Sequence, residues 1–379
     1  MAPNALTVIK FGSAILTNPQ GGLDYGNLKE ICDGLTAVKQ SGKRVVVVTS
    51  GAVAAGRQAL GIRLSQKLTI AEKQACAATG QARLMQAYAD LLAPYDIKVA
   101  QILLSRGDMD DRRRYVNARY CLEELLARGV IPLINENDTT TVDELRFGDN
   151  DGLAAMVAVS LQASQLWILS DVEGLYDKNP KVFKDAKLLS VLTEIPGDLE
   201  GRLCAVSGAG GVGSGGMASK IKAARLATRG GVVTAIVHGR TRGQLQSLLQ
   251  GRCSGTWFSA EKNQVLGRRS WITAATPQGS ITVDPGAVTA LITHKRSLLP
   301  AGVREVHGAF DEGDIIEVHN LHGVPFAKGV TNYSAMELGL IRGRKTEDIE
   351  SVLGTCPYHE VIHRDNLVVA SEARTGGDA

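Results

Sequence analysis

The chain has 379 residues, 44% hydrophobic and 21% charged, with a net charge of +3. That length predicts two domains with enough apolar content for sizeable cores, and the near-neutral balance carries no polyelectrolyte signature for nucleic acid or membrane. No apolar run reaches transmembrane length and the start of the chain lacks a signal-peptide pattern, so a cytoplasmic protein is expected.

In chain order, Thr7–Phe11 reads as a first strand. Leu28, Ile31, Leu35 and Val38 then share one helical face, and Gly42 suits the position just past the helix end. RVVVVT (Arg44–Thr49) is a β-branched run, the mark of a strand covered on both faces. Thr69-Ile70-Ala71-Glu72 is a capping-box pattern opening an Ala-rich helix to about Leu92. A strand at Val99–Leu104 precedes a helix over Arg112–Arg128 that stops at Gly129, with a loop as the alternative for its three consecutive arginines. Further buried strands are predicted at Val130–Ile134, Leu166–Ser170 and Val232–Val237, the last closing the sheet, with helices after Asn150 and Ser214. This alternation predicts an α/β fold, a mostly parallel sheet sandwiched between helices.

The texture changes after about Ala260. Short apolar runs at Ser280–Val283, Asp314–Val318 and Pro325–Val330 are spaced by Gly, Pro, Asp and His turns, as in a small β-rich domain. The expected division is therefore 1–260 for the first domain, 261–269 for a polar linker, 270–365 for the second domain and 366–379 for a disordered tail. The six cysteines (Cys32, Cys76, Cys121, Cys204, Cys253, Cys356) form no C-x-x-C pair or metal-ligand spacing, and read as reduced thiols.

The chemistry gathers where the strands end. Six carboxylates and three carboxamides fall between Asn135 and Asp151, directly after the apolar run Val130–Ile134. Open α/β sheets hold ligands at the C-terminal ends of their strands. Acids and amide oxygens accept from an ammonium while amide N–H groups donate to carboxylates, so the cluster suits a small zwitterion. A solvated Asx-rich turn is the competing reading for any one such cluster. Lys10 lies amid apolar residues two positions before Gly12, and a buried lysine needs a partner. Ser50 and Ser170-Asp171 follow other strands, so Lys10, Ser50, Asp138 and Asp171 fall together on one edge of a parallel sheet.

The segment Gly208–Lys220 is the densest glycine run and leads into a helix. Glycines let backbone N–H groups approach a polyphosphate, and a helix N-terminus favours anions. G-x-G-x-x-G occurs twice there, but a dinucleotide fingerprint follows the first strand and has an acid about twenty residues on. Here the following strand ends in Val237-His238-Gly239-Arg240, and no Walker A pattern occurs. A flexible surface loop is the competing reading.

Several motifs together resemble the amino-acid kinase family, in its glutamate-phosphorylating branch with a C-terminal PUA domain. They are VIKFGSAIL (Val8–Leu16), VVTSGAVAAGRQALG (Val47–Gly61), NENDTTTVDELRFGDND (Asn135–Asp151), ILSDVEGLYDKNP (Ile168–Pro180) and GSGGMASK (Gly213–Lys220). SITVDPGA (Ser280–Ala287), SLLPAGV (Ser297–Val303) and AKGVTNYSAMEL (Ala327–Leu338) are similar to the PUA part. The resemblance spans roughly residues 7 to 367, and Ser170 and Ser214 stand where the family often has threonine.

The resemblance implies a three-layer catalytic domain over 1–260, a small PUA-like barrel, and ATP-dependent phosphorylation of the L-glutamate γ-carboxylate for proline synthesis, with Mg²⁺ as the accompanying ion. By similarity, Lys10 and Lys220 flank the transferring phosphoryl group and Asp151 holds them. Ser50, Asp138 and Asn150 bind glutamate. Lys10, Ser170, Asp171, Ser214, Gly215, Gly216, Met217, Ala218, Ser219 and Lys220 bind the nucleotide. Proline is the implied feedback inhibitor and a homo-oligomer the implied assembly. Ser105–Asn117 reads either as a charged loop closing near the glutamate site or as a solvated charge run.

Two rivals stand beside this. A relative acting on acetylglutamate, aspartate or a nucleotide shares Lys10 and the glycine turn, yet acetylated or nucleotide substrates bring no free ammonium for so many acids. An RNA-binding protein acting through the PUA-like domain is the other. Between Val265 and Lys345 nine Lys/Arg face seven Asp/Glu, a near balance and not a basic stripe, and aromatic content is 4%, low for a stacking platform.

Overall fold

The computed structural model describes residues 5–140, 150–178, 180, 182–196, 216–252, 254–261, 272, 276–356 and 358–370. It separates into two compact units, Met1–Gln264 and Val265–Ala379.

In the first unit, in chain order, β1 is Leu6–Phe11, α1 Ser13–Leu16, α2 Tyr25–Gln40, β2 Arg44–Val48, α3 Ala52–Ala59, α4 Ile70–Leu92, β3 Val99–Leu104, α5 Arg106–Asp110, α6 Arg112–Ala127 and β4 Ile131–Glu136. Then come α7 Asn150–Ser160, β5 Gln165–Ser170, β6 Val191–Leu192, α8 Met217–Arg229, β7 Val233–His238, α9 Gln244–Leu249 and β8 Thr256–Phe258. The sheet order is β3-β4-β2-β1-β5-β7-β8-β6. From β3 to β7 every pairing is parallel.

Strand periodicity of two divides the side chains between two cores. Ile9 and Phe11 of β1, Val45 and Val47 of β2, Leu133 of β4, and Trp167 and Leu169 of β5 enter one core with Leu28, Ile31 and Leu35 of α2 and Leu84 and Tyr88 of α4. Leu6, Val8, Val46, Val48, Ile134, Leu166 and Ile168 enter the other, with Leu153 and Val157 of α7 and Ile221 and Ala224 of α8. Apolar residues at four successive positions of β2, Val45–Val48, are thus explained, because each face has a helical layer to meet. The result is the three-layer sandwich. Lys10 has the parity of Leu6 and Val8, so it points to the face covered by α7 and α8.

The capping box at Thr69 forms, with Thr69 and Glu72 bonding reciprocally. Gly42 has φ of +80°, the left-handed conformation that ends α2. Two expectations need correction. The sheet does not close at β7: β8 adds antiparallel to it and β6 parallel to β8. These strands of three and two residues are too short to show a period. The helix expected over Arg112–Arg128 forms as α6, with the consecutive arginines in its first turn and its start fixed by Asp111 accepting from the Arg114 amide. Ser105–Asn117 is therefore not one loop but α5 and the start of α6 joined at Asp111, with Ser105 and Asp108 forming a second capping box at α5.

The second unit has a five-stranded mixed sheet in the order β10-β9-β11-β12-β13, where β9 is Gly279–Val283, β10 Val303–Gly308, β11 Ile315–His319, β12 Pro325–Val330 and β13 Leu367–Val369. Its core includes Ile281, Ile316, Phe326, Leu338 and Tyr333, the last edge-on to Tyr358 at 6.3 Å. β13 falls in the segment expected to be a disordered tail; it pairs antiparallel with β12 through Gly329↔Leu367. The linker expected at 261–269 falls outside the described residues apart from Glu261.

Candidate active site

Parallel strands put β1, β2, β4 and β5 with their C-terminal ends on one edge, and the polar residues named from sequence follow those ends. Gly51, with φ of +99°, turns the chain from β2 straight into α3. Gly12 follows β1, where an added Cβ would lie 3.7 Å from Ser170 Oγ and 3.8 Å from Lys10 Nζ. Gly12 thus stands in ordinary contact distance of both groups.

Asp151 is in the first turn of α7 and is fully buried. One of its oxygens pairs with Lys10 Nζ. The other lies 3.0 Å from Lys220 Nζ and 3.3 Å from Ser219 Oγ. Lys10 and Lys220 are each 3% exposed. Burying three ionic groups costs several kcal/mol each unless they are paired, and here one carboxylate serves two ammonium groups. A lysine in the first turn of a helix is opposed by the helix dipole, and Lys220 is in that position in α8. The contact with Asp151 overrides the local preference, and such local-versus-global conflicts concentrate at functional sites.

Asn150, one residue earlier, donates through Nδ2 to Thr49 O at 2.5 Å, Asn135 Oδ1 at 2.8 Å and Ser50 Oγ at 3.1 Å. It ties the ends of β2 and β4 to α7. Asp138 is half-buried, two residues beyond β4. Ser170 donates to Asp171 Oδ1 at 2.9 Å, and its carbonyl accepts from Gly239 N at 2.7 Å, joining the ends of β5 and β7. Ser214 and Gly215 lie outside the described residues, as does the glycine run from Gly208. Gly216 is the N-cap of α8 with no side-chain cap, followed by Met217, Ala218, Ser219 and Lys220 in the first turn. A Cβ on Gly216 would meet nothing within 4 Å among the described residues.

Among the described residues no three His, Cys, Asp or Glu side chains gather as a metal cage. Asp171, which follows β5, is a carboxylate of the kind that joins substrate phosphates around Mg²⁺. No described helix is long and apolar enough to cross a membrane.

Sequence reasoning missed Thr49, Gln81 and Arg240. Arg240, after β7, donates to Asp24 Oδ2 at 2.7 Å, Ala14 O at 3.0 Å and Thr17 O at 2.7 Å, fastening the turn after β1. The Asn27 amide and then Arg240 hold Asp24 below the ordinary carboxylate range. No local spacing announces a contact across more than two hundred residues. For Gln81 a signal existed: a long polar side chain beside Gly80 in an Ala-rich helix.

Residues 5–238 match the family model described as the amino acid kinase family, and residues 279–353 match that of the PUA domain. A glutamate 5-kinase of Geobacter sp. (strain M21) is 45% identical over 367 residues, covering 96% of each chain. One of Syntrophotalea carbinolica is 46% identical over 364 residues, again covering 96% of each. The UMP kinase structure from Ureaplasma parvum is similar with a TM-score of 0.46 and 12% identity, over 68% of this chain and 100% of that one. With the full-length match to these relatives joined to the family model over the unit that carries the Lys10–Asp151–Lys220 cluster, the chain belongs to the amino acid kinase family, in its glutamate 5-kinase group.

Proposed function

We propose that this protein is a carboxylate phosphotransferase that moves the γ-phosphoryl group of ATP to the γ-carboxylate of L-glutamate, giving L-glutamyl 5-phosphate, the first step of proline biosynthesis. The observation that carries the chemistry is the single buried carboxylate of Asp151 shared by Lys10 and Lys220. The family membership carries the substrate.

A side-chain carboxylate with a pKa of roughly 4.3 is already ionised at neutral pH, so the acceptor needs no general base. The barrier to lower is repulsion between that anion and the triphosphate. Preorganised cations meet that need, because they stabilise charge where it develops without reorganising. Each lysine holds its charge against Asp151, and an ammonium group has N–H donors that suit phosphoryl oxygens. Mg²⁺, arriving on the nucleotide, supplies further charge neutralisation when bound.

Ser170, Asp171 and the start of α8 from Gly216 form the nucleotide side in this reading, with Ser214 and Gly215 extending it. The α8 N-terminus has no side-chain cap, which leaves its first N–H groups suited to phosphate. Ser50, Asp138 and Asn150 form the glutamate side, where acids and amide oxygens meet the ammonium. Proline, a cyclised relative of glutamate, is the expected feedback inhibitor. We place the enzyme in the cytoplasm as a homo-oligomer, with the PUA unit modulating and not catalysing.

The test is chemical. Acyl phosphates react with hydroxylamine, so incubation with ATP, Mg²⁺, L-glutamate and hydroxylamine should give γ-glutamyl hydroxamate in step with ADP. ADP release without hydroxamate would overturn carboxylate transfer.

A further inference from the structure

Asn150 begins a chain of amides that continues away from the site. Asn135 Nδ2 donates to Gln81 Oε1 at 2.8 Å, and Gln81 Nε2 donates to Gln101 Oε1 at 3.2 Å. Asn150, Asn135 and Gln81 are all buried, whereas Gln101 is exposed. Two backbone groups fix the direction of every bond in this chain. The Thr49 carbonyl only accepts, so the Asn150 atom against it is the amide nitrogen. The Glu136 N–H only donates, so the Asn135 atom 2.9 Å from it is the amide oxygen. Asn150 therefore gives to Asn135, Asn135 to Gln81, and Gln81 to Gln101. No amide can flip without facing donor against donor or acceptor against acceptor.

This polarity has a consequence for the ligand. Asn150 Nδ2 has two hydrogens and already meets three acceptors. Any bond from Asn150 to a ligand passes through Oδ1, which accepts. Resting on the glutamate reading above, we propose that Gln81 is a positioning residue: the Thr49 carbonyl sets which way round Asn150 lies, and Gln81, by accepting from Asn135 Nδ2, keeps Asn135 Oδ1 in place to receive from Asn150, so that Asn150 Oδ1 is held toward the substrate ammonium and the enzyme selects for the amine of its dicarboxylate. The placement of Gln81 is itself built in. A Cβ on Gly80 would lie 1.9 Å from Ala52 O and 2.3 Å from Gly56 N, so α4 is seated backbone to backbone on α3. One face of α4 then delivers both Gln81 to Asn135 and Tyr88 OH to Thr49 Oγ1, at 3.1 Å.

The experiment compares wild type, Gln81→Met and Gln81→Glu, measuring KM for L-glutamate and ATP and the Ki of glutarate, the same dicarboxylate without its amine. Methionine removes the acceptor for Asn135 Nδ2. Glutamate retains it, and the exposed Gln101 amide can rotate to donate to the new carboxylate. Gln81→Met is expected to raise KM for L-glutamate about tenfold, the scale of leaving one buried donor unmet, with KM for ATP and Ki for glutarate unchanged. Gln81→Glu is expected to recover most of the loss. An unmoved glutamate KM, a glutarate Ki rising in parallel, a KM for ATP rising in parallel, or failure of Gln81→Glu to rescue would each overturn the assignment. Wild type inactive on L-glutamate would instead overturn the functional reading beneath it.

Discussion

Lys10, Asp151 and Lys220 come from a strand and two helices, and their meeting in a buried space sets the first expectation. Lys220→Ala should lower kcat about a hundredfold or more, the scale for losing one preorganised electrostatic contact, with glutamate KM moving much less. Steady-state kinetics decide it; near-normal kcat would reduce Lys220 to a structural partner of Asp151. With Asp138 on the glutamate side, as proposed, Asp138→Ala should raise KM for glutamate and leave KM for ATP nearly unchanged. The loss of a charge-assisted contact, ~1.5–3 kcal/mol, corresponds to roughly ten- to hundredfold. Equal damage to both constants would sink that role. Thiol chemistry gives a third residue-level expectation. Burial pushes the Cys32 thiol up to about 12, so its thiolate fraction at pH 8 is minute. Cys121 is exposed. Alkylation of the native protein followed by mass spectrometry should label Cys121 well before Cys32, and early modification of Cys32 would contradict the packing.

At the scale of elements, what the sequence made legible tracks burial on two faces and local chemistry. β2 stood out because Val45 through Val48 are all buried, and α4 because its capping box is written in four consecutive residues. The edge strands β6 and β8 did not, since their pairing with β7 comes from distant chain and not from a period. The helix α6 was read at its observed place, and its opening arginines left a loop open only because charge at a helix start says nothing of the Asp111 cap. In the site, Lys10 was legible as a buried lysine needing a partner, while that partner, Asp151, stands in the first turn of α7 and was named only through the family resemblance. Gln81 offered a long polar side chain in an Ala-rich helix but no hint of its partner, because it meets Asn135 across 54 residues. The α3–α4 contact can be tested directly. Gly80→Ala puts a methyl group into the Ala52 and Gly56 backbones, an overpacking on the order of 1–3 kcal/mol. Thermal melts should show a lower Tm, and because Gln81 moves with α4, KM for glutamate should rise as well. An unchanged melt would mean the helices separate freely.

For the whole molecule, every residue assigned to catalysis precedes residue 221, and the two units have separate cores. Domains of this kind fold independently when few contacts cross the linker. A chain ending at Gln264 should fold and phosphorylate glutamate, with altered proline feedback or assembly size as the expected change. Sedimentation and ADP release measure both, and a folded but inactive fragment would assign the PUA unit a part in the site. In the proposed function a zwitterionic dicarboxylate is the phosphoryl acceptor at the Lys10–Asp151–Lys220 cluster. The most direct test is ADP release by the full-length enzyme with L-glutamate, N-acetylglutamate, aspartate and UMP side by side. L-Glutamate should dominate kcat/KM by orders of magnitude; comparable turnover of N-acetylglutamate or UMP, with L-glutamate inert, would contradict it.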